Sequence, residues 1–163
     1  MIIGIHHVQI TIPTGAEREA KAFYCDFLGL RKIEKPDSLK GRGGFWLQVG
    51  DRSVHVGAED DVERQKTKAH IAYAVTDLAH WKEALQENEI PYSEGIPIPG
   101  FDRFEFRDPF GNRVEMIQAL CCSSSNTEQA CHLLPFGRIG VAAMMLVNEC
   151  PVRVYAEAPL RTV

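Results

Sequence analysis

Hydrophobic and polar residues alternate along residues 5 to 13, IHHVQITIP. Neighbouring side chains of a β-strand point to opposite faces of a sheet, so this alternation predicts a strand with one apolar face. In residues 14 to 29 the apolar positions recur three or four residues apart, which predicts an amphipathic helix. Thr14 and Glu17 have the spacing of a capping box, and Gly29 is a typical stop signal.

The same order of elements occurs twice along the chain. Three strand candidates follow the first helix, at residues 30 to 35, 44 to 50 and 53 to 57. The second half begins again with a strand at 68 to 75 and a helix from near Asp77, and it ends with strands at 91 to 95, 102 to 108 and 112 to 118. The predicted fold class is α+β, with tandem βαβββ modules at about residues 4–57 and 68–118 in a domain of residues 1–118. We expect the charged segment between the modules to be a solvated connection.

The repeat brings four metal-binding residue types into equivalent positions. His7 corresponds to His70 in the first strands of the modules, and His55 corresponds to Glu115 in the last strands. By strand parity all four lie on the face opposite the apolar one, whereas His6 shares the apolar parity and is predicted to be structural or partly exposed.

Two such sheets that curl toward each other enclose a cup lined by this polar face. Imidazole and carboxylate groups are ligands of divalent Zn, Ni, Mn and Fe, so we predict one divalent metal ion bound by these residues. Three ligands suffice for an open site, so His55 is either the fourth ligand or a neighbour of the other three. The same face carries four candidate substrate-binding residues: Trp46, Gln48, Arg103 and Arg107. The guanidinium groups suit a carboxylate or phosphonate.

Composition narrows the range of functions. The 163 residues include 18 basic and 22 acidic ones, and no basic run with interleaved aromatic residues indicates nucleic-acid binding. The longest apolar run, residues 139 to 147, is shorter than a membrane span, and the N-terminus has no leader pattern, so a cytoplasmic protein without a membrane partner is expected. The five cysteines lack zinc or redox spacing and are predicted to be reduced thiols.

Five segments, IHHVQI, AFYCDFLGL, SVHVG, AHIAYAV and DPFGNRVEMIQ, resemble the vicinal oxygen chelate superfamily, which includes glyoxalases, bleomycin-resistance proteins and extradiol dioxygenases. The resemblance covers residues 4 to 118. It implies a glyoxalase-like cup around one metal ion, with ligands at His7, His55, His70 and Glu115. All four positions are ligands in glyoxalase I-like members, and three are in fosfomycin-resistance thiol transferases. The resemblance also implies a homodimer, in which the cup is completed either across two chains or within one.

The resemblance favours a metal-dependent enzyme that stabilises an enolate or oxyanion of a small oxygen-chelating substrate. Glu115 is the first candidate for proton transfer, and Glu105 is the second. Lyase or isomerase chemistry is favoured, while dioxygenase and thiol-transferase reactions stay open. His55 stands where glyoxalase I-like proteins usually carry a carboxylate, which argues against methylglyoxal isomerisation. One alternative is a binding protein of the bleomycin-resistance type, which sequesters a toxic compound without catalysis. A third possibility is an interaction module or an enzyme that has lost its activity.

The repeat and the resemblance both end near Gln118. Residues 119–163 are too few for a third module. A C-terminal edge strand or lid, a disordered extension and a non-native continuation of the reading frame are the alternatives for this segment.

Overall fold

A computed structural model of the chain describes residues 1–120. The strands are β1 (His7–Ile12), β2 (Arg31–Ile33), β3 (Phe45–Val49), β4 (Arg52–Ala58), β5 (His70–Ala74), β6 (Tyr92–Glu94), β7 (Phe101–Arg107) and β8 (Arg113–Ala119). The helices are α1 (Glu17–Lys21), which continues as a π-helix over Ala22–Phe27, and α2 (Leu78–Glu87). Short 3₁₀ segments lie at Asp37–Arg42 and Arg64–Lys66. The expectations for the extension from residue 121 onward lie outside the described residues.

Each module forms one four-stranded mixed sheet. The strand orders are β1-β4-β3-β2 and β5-β8-β7-β6, and the first and last strands of each module pair in parallel. This topology confirms the predicted α+β fold of two βαβββ modules. None of the helices within residues 1–120 has the length and apolar character needed to cross a membrane.

The inward faces of the two sheets share one hydrophobic core with the helices. Phe23 of the π-helix lies near Phe106 of the second sheet, with ring centroids 6.4 Å apart, and Phe27 packs edge-on against Trp81 of α2. The first helical segment therefore contacts elements of the second module. The largest fully buried side chains are Tyr24, Phe45, Phe104, Ile12, Leu47, Leu85, Met116 and Val56.

The two helices begin differently. Asp77 caps α2 as predicted, because its carboxylate accepts a hydrogen bond of 3.0 Å from the backbone of His80. The capping box predicted at Thr14 and Glu17 is wrong: α1 begins at Glu17 without a side-chain cap. The Glu17 carboxylate instead accepts a hydrogen bond from the backbone of Gly44. This tertiary contact replaces the predicted contact at the helix end.

The connection between the modules differs from the solvated linker that was expected. Arg64 is only 6% exposed, and its guanidinium donates hydrogen bonds to the backbone carbonyls of Thr11, Glu59 and Val62. A buried guanidinium needs such acceptors because desolvation otherwise makes it costly. Asn112 also donates to the Thr11 carbonyl, at 2.9 Å, so residues from the linker and from the second module both hold the end of β1.

Candidate metal centre

The first sheet brings His7 and His55 together. Their rings lie parallel, with centroids 4.1 Å apart and an interplanar angle of 13°. Trp46, directly opposite His55 on β3, stacks on its other side with centroids 3.9 Å apart. Burial lowers the pKa of His55, and the neighbouring His7 and His6 lower it further, which favours the neutral imidazole that metal ions require.

His6 contacts the first of these imidazoles from outside the strand. Its Nδ1 lies 3.0 Å from Nδ1 of His7, and the two rings meet edge to face. The structure therefore places His6 beside the histidine pair as an exposed neighbour, and a ring nitrogen of His7 is occupied by this contact. Strand parity placed His6 and His7 on opposite faces and so did not predict this contact.

The second sheet brings His70 and Glu115 together. Nε2 of His70 lies 3.2 Å from Oε2 of Glu115, whose side chain is only 4% exposed. Nδ1 of His70 lies 2.9 Å from the carbonyl of Lys68, an acceptor that calls for the proton on Nδ1. In the neutral imidazole the lone pair of Nε2 then faces a carboxylate oxygen. Two atoms that face each other with free electron pairs can both coordinate a cation. Histidine ligands typically have their other ring nitrogen held by a hydrogen bond, as Nδ1 of His70 is here.

The two residues of each pair are displaced by the same two positions in the strand register. Gln9 is the register partner of His55, and His7 lies two residues before it on β1. In the second sheet Ala72 is the register partner of Glu115, and His70 lies two residues before it on β5. The members of each pair are therefore diagonal neighbours on parallel strands, on one face of the sheet. This geometry supports the equivalence that the repeat indicated.

The two pairs do not meet within one chain. Among residues 1–120 no group of three or more His, Cys, Asp or Glu side chains lies close enough to hold a metal ion. A single chain therefore presents two half-sites, each with two ligands of the right chemistry. The donor set fits a divalent ion only if two half-sites are brought together.

Arg103 and Arg107, predicted to bind substrate, are both engaged by the protein. Nη1 of Arg103 donates to Oε2 of Glu115 at 2.6 Å, and Nε donates to the carbonyl of Ile96. Nη1 of Arg107 lies within hydrogen-bond distance of three backbone carbonyls, among them Gly111 at 2.9 Å. Arg103 therefore lies in the site as a partner of Glu115, whereas the contacts of Arg107 give no support to a substrate-binding role.

Two further candidates, Gln48 and Glu105, are also bound by other groups of the protein. Gln48 donates its amide to the carbonyls of Gly50 and Arg52 and so holds the β3–β4 turn rather than facing the histidines. Glu105, the second candidate for proton transfer, is the register partner of Glu115 and is ion-paired with Arg113 at 2.5 Å.

A cavity of about 330 Å³ opens beside Trp46 and His55. We call it the first-sheet cavity. Two of its residues, Lys35 and Arg42, were missed by the sequence analysis. Lys35 was predicted to end a strand at residues 30 to 35, but β2 ends at Ile33, and Arg42 ends a 3₁₀ segment that was not predicted. The polar and aromatic residues that line the cavity are Gln9, Lys35, Arg42, Trp46 and His55.

Comparisons with known proteins agree with this fold. Residues 4–116 match the model of the Glyoxalase/Bleomycin resistance protein/Dioxygenase superfamily. A glyoxalase family protein from Bacillus anthracis is 38% identical, with a TM-score of 0.68 over 74% of this chain and 98% of that chain. The chain belongs to the Glyoxalase/Bleomycin resistance protein/Dioxygenase superfamily.

More distant structures share the fold. The fosfomycin resistance protein FosX from Listeria monocytogenes, in complex with Mn(II) and sulfate, is 14% identical, with a TM-score of 0.60 over 74% of this chain and 93% of that one. Lactoylglutathione lyase from Agrobacterium tumefaciens is 21% identical, with a TM-score of 0.54 over 71% of this chain and 92% of that one. No curated protein matches the chain in sequence.

Proposed function

We propose that the protein is a metal-dependent enzyme that acts on a small oxygen-chelating substrate by lyase or isomerase chemistry. The observation that carries the proposal is the pair of His70 and Glu115, in which an imidazole nitrogen and a carboxylate oxygen face each other at 3.2 Å. The Mn(II) complex of FosX, which shares the fold, supports a divalent ion as the cofactor. Zn, Ni, Mn and Fe all accept this ligand set.

The proposed site is shared between two chains of a homodimer. The pair of His7 and His55 on one chain and the pair of His70 and Glu115 on its partner together supply four ligands. A two-fold axis makes every contact reciprocal, so two identical sites form at once. The separation of the two pairs supports this arrangement, because within residues 1–120 neither pair has a third ligand of this kind.

When bound, a divalent ion supplies Lewis-acid stabilisation of an enolate or oxyanion. The protein's own groups then determine where a proton moves. Glu115 is the proposed proton-transfer group, and Arg103 fixes the position of its Oε2. Glu105, opposite Glu115 in the sheet register, is the second candidate. Trp46 forms a wall of the substrate site beside His55.

A sequestering protein of the bleomycin-resistance type is the alternative. Such a function would require a large acidic cleft for a cationic compound. The first-sheet cavity has no acidic residue among its described lining, and two of its residues are cationic. These charges favour the enzyme over this alternative.

The proposal is tested by metal analysis of the purified protein and of the variants His70→Gln and Glu115→Gln. We expect binding of one divalent ion per chain in the unmodified protein, because each dimer holds two sites, and loss of that ion in both variants. His80→Gln is the matched control, because His80 is an exposed histidine of α2 whose ring lies beside Trp81 and contacts neither pair of candidate ligands. Unmodified protein that takes up no Ni, Mn, Zn or Fe would contradict the proposal.

A further inference from the structure

The first-sheet cavity has a floor of strands and a wall of irregular chain. Gln9, Trp46 and His55 come from β1, β3 and β4, and Lys35 and Arg42 come from the segment that crosses from β2 to β3. The cavity volume of about 330 Å³ is at the lower end of the range for small-molecule sites. It therefore suits a small molecule or one end of a larger one.

The wall is held over the sheet by two glycines. Gly43 and Gly44 have φ values of 68° and 67°, in the left-handed region that favours glycine. A Cβ on Gly44 would lie 2.0 Å from the carbonyl oxygen of Val56, so only glycine allows this close approach to β4. Nζ of Lys35 donates to the carbonyl of Gly43 at 2.5 Å, which fixes the ammonium beside the cavity.

Positive charge at this wall is not balanced by a lining carboxylate. Lys35 is half-buried and keeps further donors beyond its bond to Gly43. Arg42 is exposed and forms no ion pair within residues 1–120. Two carboxylates lie near the wall but outside the lining. Glu17 accepts a hydrogen bond from the backbone of Gly44, which, with a smaller contribution from the Lys35 ammonium, lowers the pKa of its carboxyl, and Asp37 pairs with Lys40.

Three arginines of the second sheet are not available in this way. Arg103 is bound to Glu115, Arg113 to Glu105, and Arg107 to backbone carbonyls. Lys35 and Arg42 are the cationic residues that line the first-sheet cavity, and both retain unused donors for a ligand.

We propose that the first-sheet cavity is an anion subsite, in which Lys35 and Arg42 bind a compact oxyanion, a carboxylate or a phosphonate, of the enzyme's substrate. The amide of Gln9 and the indole of Trp46 complete its lining. The substrate class is then a small acid with chelating oxygens at one end and an oxyanion at the other. This assignment rests on the proposed function for its role in a reaction, but binding of the anion itself requires no metal ion.

Binding is measured on metal-free, full-length protein that carries Trp81→Phe, so that Trp46 is the remaining tryptophan of the two in the chain. Methylphosphonate and propionate are titrated separately while Trp46 fluorescence is followed. The two probes distinguish a tetrahedral from a planar oxyanion. We expect saturable binding of at least one of them.

The anion affinities of two double variants are compared with that of the parent protein. Lys35→Gln with Arg42→Gln should weaken binding about tenfold or more, since each charge-assisted hydrogen bond contributes appreciably. The control, Lys32→Gln with Arg18→Gln, makes the same charge change away from the cavity: Lys32 is the register partner of the buried Leu47, and Arg18 is exposed on α1. The control should retain the affinity of the parent protein within about twofold.

A second measurement does not depend on variants. In ¹⁵N-resolved spectra of the metal-free protein, methylphosphonate should shift the amides of Gly43 and Gly44 and the indole of Trp46, and it should leave the amides of β7 unchanged. Equal weakening in both double variants, shifts confined to other residues, or no saturable binding of either probe would overturn the subsite. Anion binding by a protein that takes up no metal ion would instead contradict the proposed function and leave the subsite standing.

Discussion

Arg103 donates a hydrogen bond of 2.6 Å to Glu115, and both side chains are largely buried, with exposed fractions of 16% and 4%. The same carboxylate oxygen faces His70 at 3.2 Å. Arg103 therefore balances the charge of a proposed metal ligand while no metal ion is bound. The guanidinium and a divalent ion would compete for that charge.

Arg103→Gln should consequently have opposite effects on stability and metal affinity. Loss of one partner of a buried ion pair should lower the free energy of unfolding of the metal-free protein by about 3 kcal/mol. Metal affinity should rise about tenfold, because a positive charge next to the ion is removed. Urea denaturation and competition with a chelator measure the two effects. Lys82→Gln is the control, since it removes a more exposed pair with Glu94 and should change stability by less than about 1 kcal/mol. Weaker metal binding by Arg103→Gln would contradict this account.

The bond between Tyr24 and Asp108 joins the helix of the first module to a turn of the second. Oη of Tyr24 donates to Oδ2 of Asp108 at 2.6 Å, and burial, together with the negative charge of Asp108, raises the pKa of Tyr24 far above its usual range. Burial raises the pKa of Tyr73 in the same direction. A raised pKa in the folded state means that stability is present in full below the unfolded-state pKa and is lost as the pH rises above it.

The free energy of unfolding should therefore decline above about pH 10, where tyrosines of the unfolded chain ionise. Tyr24→Phe should make this decline shallower and should cost about 1 to 3 kcal/mol at neutral pH, because Asp108 loses a buried donor. Urea denaturation from pH 7 to pH 11 measures both effects. Identical slopes for the variant and the unmodified protein would show that Tyr24 is not the group responsible.

Gly44 and Gly50 provide a matched pair of substitutions. Both have positive φ values, 67° and 54°, but a Cβ meets the backbone of Val56 at Gly44 and nothing within 4 Å at Gly50. Gly50→Ala should cost about 1 kcal/mol from backbone conformation alone. Gly44→Ala should cost several-fold more, because the Cβ would overlap a main-chain carbonyl that cannot rotate away as a side chain can. Thermal unfolding compares the two, and equal losses would contradict the close approach at Gly44.

The strands and the composition of the candidate site followed from alternation, parity and the internal repeat. Parity places His7 and His55, and likewise His70 and Glu115, on one sheet face, and the diagonal geometry agrees. These features depend on the spacing of hydrophobic and polar residues over a few positions, which can be read directly from the sequence.

Other features depend on partners distant in the chain. Glu17 contacts Gly44, Arg64 binds the end of β1, and Arg103 pairs with Glu115, although each could equally have been a solvated side chain. Lys35 and Arg42 reach the first-sheet cavity because β2 ends at Ile33, earlier than predicted, and the chain continues through a 3₁₀ segment at Asp37–Arg42. Long polar side chains have many alternative partners, so tertiary structure decides among them.

The proposal that two chains share each metal site is tested by mixing two variants that each lack one proposed metal ligand. His7→Gln and Glu115→Gln chains are purified separately, unfolded and refolded together, and their bound metal is measured. In a shared-site homodimer the mixed dimer has both substitutions in one site and none in the other.

About a quarter of the normal metal content should therefore return in an equimolar mixture, since half of the dimers are mixed and half of their sites are intact. Each variant refolded alone should retain little metal, and His80→Gln mixed with Glu115→Gln gives the matched control. Metal content in the His7→Gln and Glu115→Gln mixture no higher than in the separate variants would contradict a site shared between chains.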